Sequence, residues 1–135
     1  MNECIFCKIV KGELPSSKVY ENEKVLAFLD INPTSKGHTL VIPKEHYKDI
    51  FDIPEDLLKE VIAMVKKIAP AVQKGAKADG LTIGQSNGKA AHQVIPHIHF
   101  HIMPRKDGDG MDPWPAGKYK EGEMKKYLEK IVNFL

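Results

Sequence analysis

The sequence predicts a domain that combines β-strands with amphipathic α-helices. Short runs of β-branched and aromatic residues recur between residues 18 and 103, as is typical of strands. A long segment after Asp52 repeats apolar residues at i, i+3 and i+4, and a shorter one near residue 130 does the same. The chain has 135 residues, 42% of them hydrophobic, which is the size of one ordinary domain. We therefore expect a single domain over residues 1–135.

One predicted strand, from Pro96 to Pro104, carries three of the six histidines of the chain. His97, His99 and His101 alternate with hydrophobic residues, so an extended backbone would place three imidazoles on one face and an apolar row on the other. A row of imidazoles is a poor core. It suits metal binding, because imidazole ligates transition metals, or nucleophilic and acid–base chemistry, because imidazole titrates near neutrality. The three residues alone leave both possibilities open.

The chain begins with a Cys-x-x-Cys pair, Cys4 and Cys7. Its spacing suits zinc ligation, and two buried thiols without a role are the alternative. Further along, the patterns predict a short helical turn, three strands, a long helix and a fourth strand before the histidines, and a second helix after them. Their predicted bounds are 8–14 for the turn, 18–21, 25–30, 37–44 and 81–87 for the strands, and about 52–75 and 121–134 for the helices.

The long helix has recognisable start and stop signals. Asp52, with Glu55 three residues later, predicts a capping box at its beginning. Pro70 lies inside the periodic pattern and is expected to kink the helix or end it early.

Four polar residues near the predicted strands need a reason for their positions. Asp30 ends a strand, where it can cap the following turn or accept hydrogen bonds from a sugar diol; the local sequence favours the cap. His46 follows the strand 37–44 and, as an isolated residue, is typical of a surface histidine. Asn87 and Gln93 flank the imidazole row, either as hydrogen-bonding groups or as ordinary hairpin residues.

Composition excludes several classes of partner. The net charge is +2, from 20 basic and 18 acidic residues, and Arg105 is the only arginine, so a nucleic-acid partner is not expected. No apolar run approaches the roughly 18–20 residues of a membrane span, and the first residues do not resemble a signal peptide. We expect a cytoplasmic protein without a membrane partner, whose cysteines are thiols or metal ligands.

Several motifs follow one another in residues 4–105. They are Cys4–Ile9, Gly12–Pro15, Ala27–Ile31, Gly37–His46, Asn87–Gly88 leading to Gln93, and His97-x-His99-x-His101 followed by Ile102-Met103. In this order they resemble the Hint-type branch of the histidine-triad (HIT) superfamily of nucleotide-binding proteins. The resemblance implies an α+β fold with a five-stranded antiparallel sheet and two main helices. It also implies a homodimer that joins two sheets, and it leaves residues 106–135 as a C-terminal tail and helix.

The resemblance implies hydrolysis of purine nucleoside phosphoramidates or adenylates through a covalent nucleotidyl-histidine. By this match His99 attacks the α-phosphorus, His101 binds the phosphoryl oxygens, and Gln93 faces the scissile bridge. A neutral imidazole is a nucleophile at pH 7, and two steps replace one difficult displacement. No metal is needed for this chemistry.

The same match assigns the binding of an AMP-like purine nucleotide. Ile5 and Phe6 would line the base pocket, Asp30 would hold the ribose hydroxyls, and Asn87 would face the ribose and phosphate. This match favours a ribose-binding role for Asp30 over the cap role that the local sequence favours.

A subset of the family carries a structural zinc. The matching positions are Cys4, Cys7, His46 and His97, a closed Cys₂His₂ set. The triad then has two tasks, with His97 on the metal while His99 and His101 act on phosphate.

Two residues depart from the family pattern. Val94 stands where many relatives have Ser or Thr, and valine cannot hydrogen-bond a phosphate or leaving group. His92 stands where glycine is common. Both bear on the rate and on the leaving-group preference.

Three alternatives remain at this stage. One is a dinucleoside polyphosphate hydrolase of the same superfamily. Another is a nucleotide-binding regulatory module without turnover. The third is a hydrolase that uses His97, His99 and His101 together on zinc, which would leave Cys4 and Cys7 without a role.

Overall fold

A computed structural model describes residues 3–111 and 114–135. Three helices and five strands are formed in this part of the chain, with a single 3-10 turn at Lys89–Ala91. In order they are α1 (Ile5–Val10), β1 (Lys18–Glu21), β2 (Val25–Leu29), β3 (Thr39–Pro43), α2 (Glu55–Gly75), β4 (Gly80–Gly84), β5 (Phe100–Arg105) and α3 (Glu123–Val132).

The strands form one sheet in the order β1-β2-β3-β5-β4, and all neighbouring pairs are antiparallel. The strands β1, β2 and β3 follow one another both in the sequence and in the sheet. The chain then forms α2 and β4, and β5 pairs between β3 and β4. The predicted α+β class, with a five-stranded antiparallel sheet and two main helices, is confirmed.

The two faces of the sheet have different partners. Alternate residues of β2, β3 and β5 pack against the buried stripe of α2 (Val61, Met64, Val65, Ile68 and Val72). The intervening residues of β2 and β3 pack with Cys4 and Phe6 of the N-terminal segment. In the register of β3 and β5, Leu40 is paired with His101, so the histidines share the face covered by α1.

The histidine segment differs from its prediction, because the strand begins at Phe100 and not at Pro96. Its ladder with β3 ends at the pair Val41 and Phe100. Upstream, the His97 N–H bonds to the Ile95 carbonyl at 2.8 Å, a tight local turn that is incompatible with a strand. The predicted separation of faces holds nevertheless, since Ile98 is fully buried in the core under α2.

The predicted capping box of α2 is wrong. The helix begins at Glu55, after Pro54 and without a side-chain cap, because the Asp52 carboxylate instead accepts the Lys48 N–H at 2.8 Å. Pro70 does not end the helix early, since α2 continues to Gly75. The Pro70 side chain lies on the exposed side of the helix.

The two ends of the chain also differ in detail from expectation. The first helix begins at Ile5, earlier than predicted, because the Cys4 sulfur accepts the Cys7 N–H at 3.5 Å and caps it. The last helix, α3, has the predicted apolar face, but that face is exposed. The exposed residues are Met124, Tyr127, Leu128, Ile131 and Val132.

No helix among residues 3–111 and 114–135 combines the length and the apolar character that crossing a bilayer requires.

Candidate active site and metal centre

The His99 ring has a defined tautomer. Its Nδ1 lies 2.8 Å from the main-chain carbonyl oxygen of His97, which can only accept a hydrogen bond, so Nδ1 carries the proton. The lone pair is therefore on Nε2. The side chain is buried, with the Phe6 ring at 5.1 Å between centroids. Burial lowers the pKa of His99, while the bond to His97 acts in the opposite direction. The ring is thus a neutral imidazole with one unprotonated nitrogen.

The tautomer of His101 is set by a chain of two further hydrogen bonds. The Thr34 N–H donates to His38 Nδ1 at 3.0 Å, so the proton of the neutral His38 ring is on Nε2. That Nε2 lies 2.9 Å from His101 Nδ1 and donates to it. His101 consequently carries its proton on Nε2, where it is a hydrogen-bond donor. Sequence reasoning quoted His38 within a motif but assigned it no role.

Both rings of this chain are neutral at pH 7. Burial, together with the neighbouring His99 and His38 rings, lowers the pKa of His101 to about 4, against the attraction of Asp30. Burial also lowers the pKa of His38, against the attraction of the Asp30 carboxylate. The site therefore combines a nucleophilic nitrogen on His99 with an N–H donor on His101, and their rings are 4.9 Å apart.

Asp30 fulfils the cap role and retains a second oxygen. Its Oδ1 accepts the Asn32 N–H at 2.9 Å, which is the turn predicted from local sequence. Its Oδ2 lies 3.8 Å from His38 Nε2, on the side of the histidines. The carboxylate can therefore cap a turn and accept a further hydrogen bond at once.

Asn87 and Gln93 are both tied to neighbouring loops. The Asn87 side chain accepts the Ile50 N–H at 2.8 Å and exchanges hydrogen bonds with Gln85. The Gln93 amide donates to the carbonyls of Lys48 and Ile95, at 2.6 and 3.1 Å, and its oxygen accepts the Gly88 N–H. These hydrogen bonds hold the loop 87–95, which directly precedes the histidines in the sequence.

The residues that depart from the family pattern lie on this loop. Val94 is 86% exposed, so its side chain is open to any ligand that approaches the loop. His92 has φ of +65°, a left-handed conformation that glycine adopts freely and that costs an L-residue about 1 kcal/mol. The backbone geometry explains why glycine suits this position.

The two candidate base-pocket residues differ in exposure. Phe6 is buried, and its ring packs edge-on against Phe28, His97 and His99. Ile5 is 45% exposed at the start of α1. The α1 segment thus covers the His99 ring on one side and presents an apolar side chain to solvent.

Four potential metal ligands converge at the N-terminus of α1. The ligating atoms of Cys4, Cys7, His46 and His97 all lie within 4.8 Å of one another. His97 Nδ1 is 3.4 Å from Cys4 Sγ and 3.6 Å from Cys7 Sγ, and His46 Nδ1 is 3.3 Å from Cys7 Sγ. A tetrahedral zinc with bonds of about 2.3 Å to sulfur and 2.0 Å to nitrogen places S and N about 3.5 Å apart.

The protonation pattern of His97 fits a metal ligand. Its Nε2 donates to the Pro43 carbonyl at 2.8 Å, which leaves the Nδ1 lone pair directed at the two thiols. Burial lowers the pKa of His97 to about 4, so the ring is neutral. Burial also raises the pKa of Cys7, with the neighbouring Cys4 adding to the effect. A divalent cation among these ligands would favour the thiolates.

A second cluster, Asp30, His38 and His101, has similar spacing but does not suit a metal. The Nδ1 of His38 accepts the Thr34 N–H, and its Nε2 carries a proton that is donated to His101. Neither nitrogen of His38 has a free lone pair to offer a cation.

The neutral pair predicts a pH dependence of stability. The unfolded chain protonates His38 and His101 near the ordinary pKa of 6.5, whereas folding lowers both values, that of His101 to about 4. Between these values the unfolded chain binds more protons, so the free energy of unfolding should fall as the pH drops from 6.5 to 4. Urea unfolding followed by circular dichroism measures this loss. It should be smaller in His101→Gln than in His92→Asn, which removes an exposed histidine; an equal loss in both variants would contradict the prediction.

Comparisons with known proteins agree with this geometry. The model of the HIT domain matches residues 11–108. The adenosine 5'-monophosphoramidase HNT1 of Candida albicans is 41% identical over 145 aligned positions, covering 96% of this chain and 94% of the relative.

Two solved structures extend the match to three dimensions. A HIT-family protein from Bacillus subtilis superposes with a TM-score of 0.89 at 42% identity, over 98% of this chain and 97% of the other. A zinc-bound histidine-triad family protein from Mycobacterium smegmatis gives a TM-score of 0.78 at 37% identity, over 99% of both chains. The chain therefore belongs to the histidine-triad (HIT) family.

Proposed function

We propose that this protein hydrolyses purine nucleoside phosphoramidates or adenylates through a nucleotidyl intermediate on His99. One observation carries the proposal: the His97 carbonyl holds the proton of His99 on Nδ1 and leaves Nε2 unprotonated in a buried site. Binding alone does not require such a nitrogen. The name of the Candida albicans relative, an adenosine 5'-monophosphoramidase, supports the same class of substrate.

In the first step His99 Nε2 forms a bond to the α-phosphorus, and the bond from phosphorus to the leaving nitrogen or oxygen breaks. The leaving group departs with the electron pair and takes a proton from solvent. The positive charge that develops on His99 is stabilised through Nδ1–H by the His97 carbonyl. His101 donates Nε2–H to a phosphoryl oxygen. Water then forms a bond to phosphorus and loses a proton to solvent. The bond from phosphorus to His99 Nε2 breaks, and its electron pair returns to Nε2, which restores the neutral ring.

The nucleoside is bound by the residues around this pair. The free oxygen of Asp30 accepts hydrogen bonds from the ribose, and Ile5 and Phe6 contact the base. Asn87 faces the ribose and phosphate, and Gln93 faces the scissile bridge. The Asn87 side chain is bonded to Ile50 and Gln85, and the Gln93 amide is bonded to the carbonyls of Lys48 and Ile95. Both residues therefore act there through their backbone or after exchanging these partners.

The metal centre completes the proposal. Cys4, Cys7, His46 and His97 hold a structural zinc, which supplies positive charge for two thiolates and joins α1 to the histidine segment. The ligand distances and the tautomer of His97 support this assignment. Catalysis itself uses no metal.

A homodimer is part of the proposal. β4 is an edge strand, and beside it lies an apolar groove between β4 and α2, in which Ile62 and Ile83 are 46% and 49% exposed. The apolar face of α3 is exposed as well. Exposed strand edges and apolar patches of this kind are typical of association surfaces. A single domain over residues 1–135, a cytoplasmic location and no nucleic-acid partner complete the description.

The nucleophile can be tested by trapping. Wild-type protein mixed with labelled adenosine 5'-phosphoramidate should acquire an acid-labile adenylyl group, and His99→Ala should acquire none because the attacking nitrogen is gone. AMP binding by the folded variant controls for its integrity. A panel with an aminoacyl-adenylate and a dinucleoside tetraphosphate identifies the leaving group. Tight AMP binding without turnover of any of these compounds would refute the enzymatic function.

Metal content tests the ligand set. Protein purified without chelator should contain about one zinc per chain, and Cys4→Ser with Cys7→Ser should contain none, because both sulfur ligands are removed. Mass spectrometry of metals gives the ratio. Metal-free wild-type protein after growth with added zinc would show that the cluster is not a zinc site.

Sedimentation tests association. At micromolar concentration the wild type should sediment as a dimer, whereas Ile83→Lys should shift toward the monomer because a charge enters the groove. Phe51→Lys, which alters an exposed residue outside the groove, is the matched control. A monomeric wild type at this concentration would contradict the dimer.

A further inference from the structure

The backbone that positions the nucleophile is not part of the sheet. The ladder between β3 and β5 ends at Phe100, so His97, Ile98 and His99 lie beyond it. Outside the ladders, a main-chain bond from the Ile98 N–H to the Tyr47 carbonyl, at 2.8 Å, ties this segment to the loop after β3. Something other than regular pairing must keep the His97 carbonyl at the His99 ring.

The His97 side chain has the geometry to do this. Its Nε2 is fixed on the Pro43 carbonyl, at the end of β3, and its Nδ1 lies among the sulfurs of Cys4 and Cys7. The carbonyl of the same residue accepts the His99 Nδ1–H. A ring held at both nitrogens fixes the orientation of the residue, and with it the direction of its carbonyl.

The remaining ligand, His46, is next to a residue that is bonded to the same backbone segment. His46 precedes Tyr47, whose carbonyl accepts the Ile98 N–H. A cation bound by both His46 and His97 would therefore connect the two backbone segments at adjacent positions, in place of the missing ladder. Without the cation, thiols and imidazoles at 3.3 to 3.6 Å make only weak hydrogen bonds.

We propose that His97 is a positioning residue, and that metal bound at Cys4, Cys7, His46 and His97 sets the tautomer of His99 by holding the His97 carbonyl in place. The inference rests on the proposed role of His99 as nucleophile. Metal removal releases the carbonyl, the His99 proton exchanges between the two nitrogens, and the fraction with a proton on Nε2 cannot attack phosphorus. Metal occupancy thereby controls the number of competent nucleophiles without contributing to the reaction.

The test compares the zinc-loaded protein with the chelator-treated protein and with three variants. His46→Asn removes a ligand that does not contact His99. His46→Cys restores a ligand, because Cys₃His is also a zinc set. Glu45→Gln changes the charge of an exposed neighbour, keeps an oxygen that can accept the Tyr47 hydroxyl, and is the control. The first measurement is ¹H–¹⁵N correlation of the histidine rings at neutral pH, which distinguishes Nδ1–H from Nε2–H. The second is the single-turnover rate of adenylyl transfer to His99.

The loaded wild type, Glu45→Gln and zinc-loaded His46→Cys should show His99 as the Nδ1–H tautomer alone. The chelator-treated protein and His46→Asn should show both tautomers. Their adenylyl transfer should be slower by about tenfold, the lower end of the loss typical when the residues that orient a functional histidine are removed. Added zinc should reverse the change in the wild type.

Two results would overturn the inference. One is a single Nδ1–H tautomer with an unchanged rate after metal removal. The other is global unfolding of the metal-free chain by circular dichroism, which would show that the metal holds the whole fold and not this carbonyl in particular. A loaded wild type that forms no adenylyl-histidine would instead refute the proposed function, whichever tautomer is observed.

Discussion

The hydrogen bond from the His99 ring to the His97 carbonyl decides what this site can do. Imidazole is useful as a nucleophile only when the attacking nitrogen has no proton, and a carbonyl oxygen can accept but never donate. The Pro43 carbonyl likewise fixes the proton of His97 on Nε2. The Thr34 N–H, acting through His38, leaves the proton of His101 on Nε2. Backbone groups thus assign one proton to each ring, and burial keeps the rings neutral at pH 7.

The alternating pattern of the triad allows two chemistries to share one face. Rings two residues apart are close enough to touch, with 4.9 Å between the centroids of His99 and His101. His97 faces the sulfurs at one end, and His101 faces His38 at the other. The middle ring is left with an unshared nitrogen. This arrangement explains why three histidines do not behave as one metal site.

Much of the architecture followed from periodicity, because a period of two or of 3.6 reports directly which side of an element is buried. The pattern placed Ile98, Phe100 and Ile102 in the core correctly, and it identified the buried face of α2. It could not locate the beginning of β5, since the turn closed by the His97 N–H and the Ile95 carbonyl leaves the alternation of side chains unchanged. Resemblance to a family brought Cys4 and His46 together, which are 42 residues apart and share no local signal. His38 was missed because its partners, the Thr34 amide and His101, are brought together only by the fold.

The exposed last helix has a consequence for how this chain becomes ordered. α3 has ten residues, fewer than an isolated helix needs to persist in water, and its apolar side chains touch little of its own sheet. In the proposed dimer, a partner that covers this side would stabilise the helical form. Ordering of the C-terminus would then be coupled to dimerisation, and the conformational entropy lost there would reduce the affinity of the two chains.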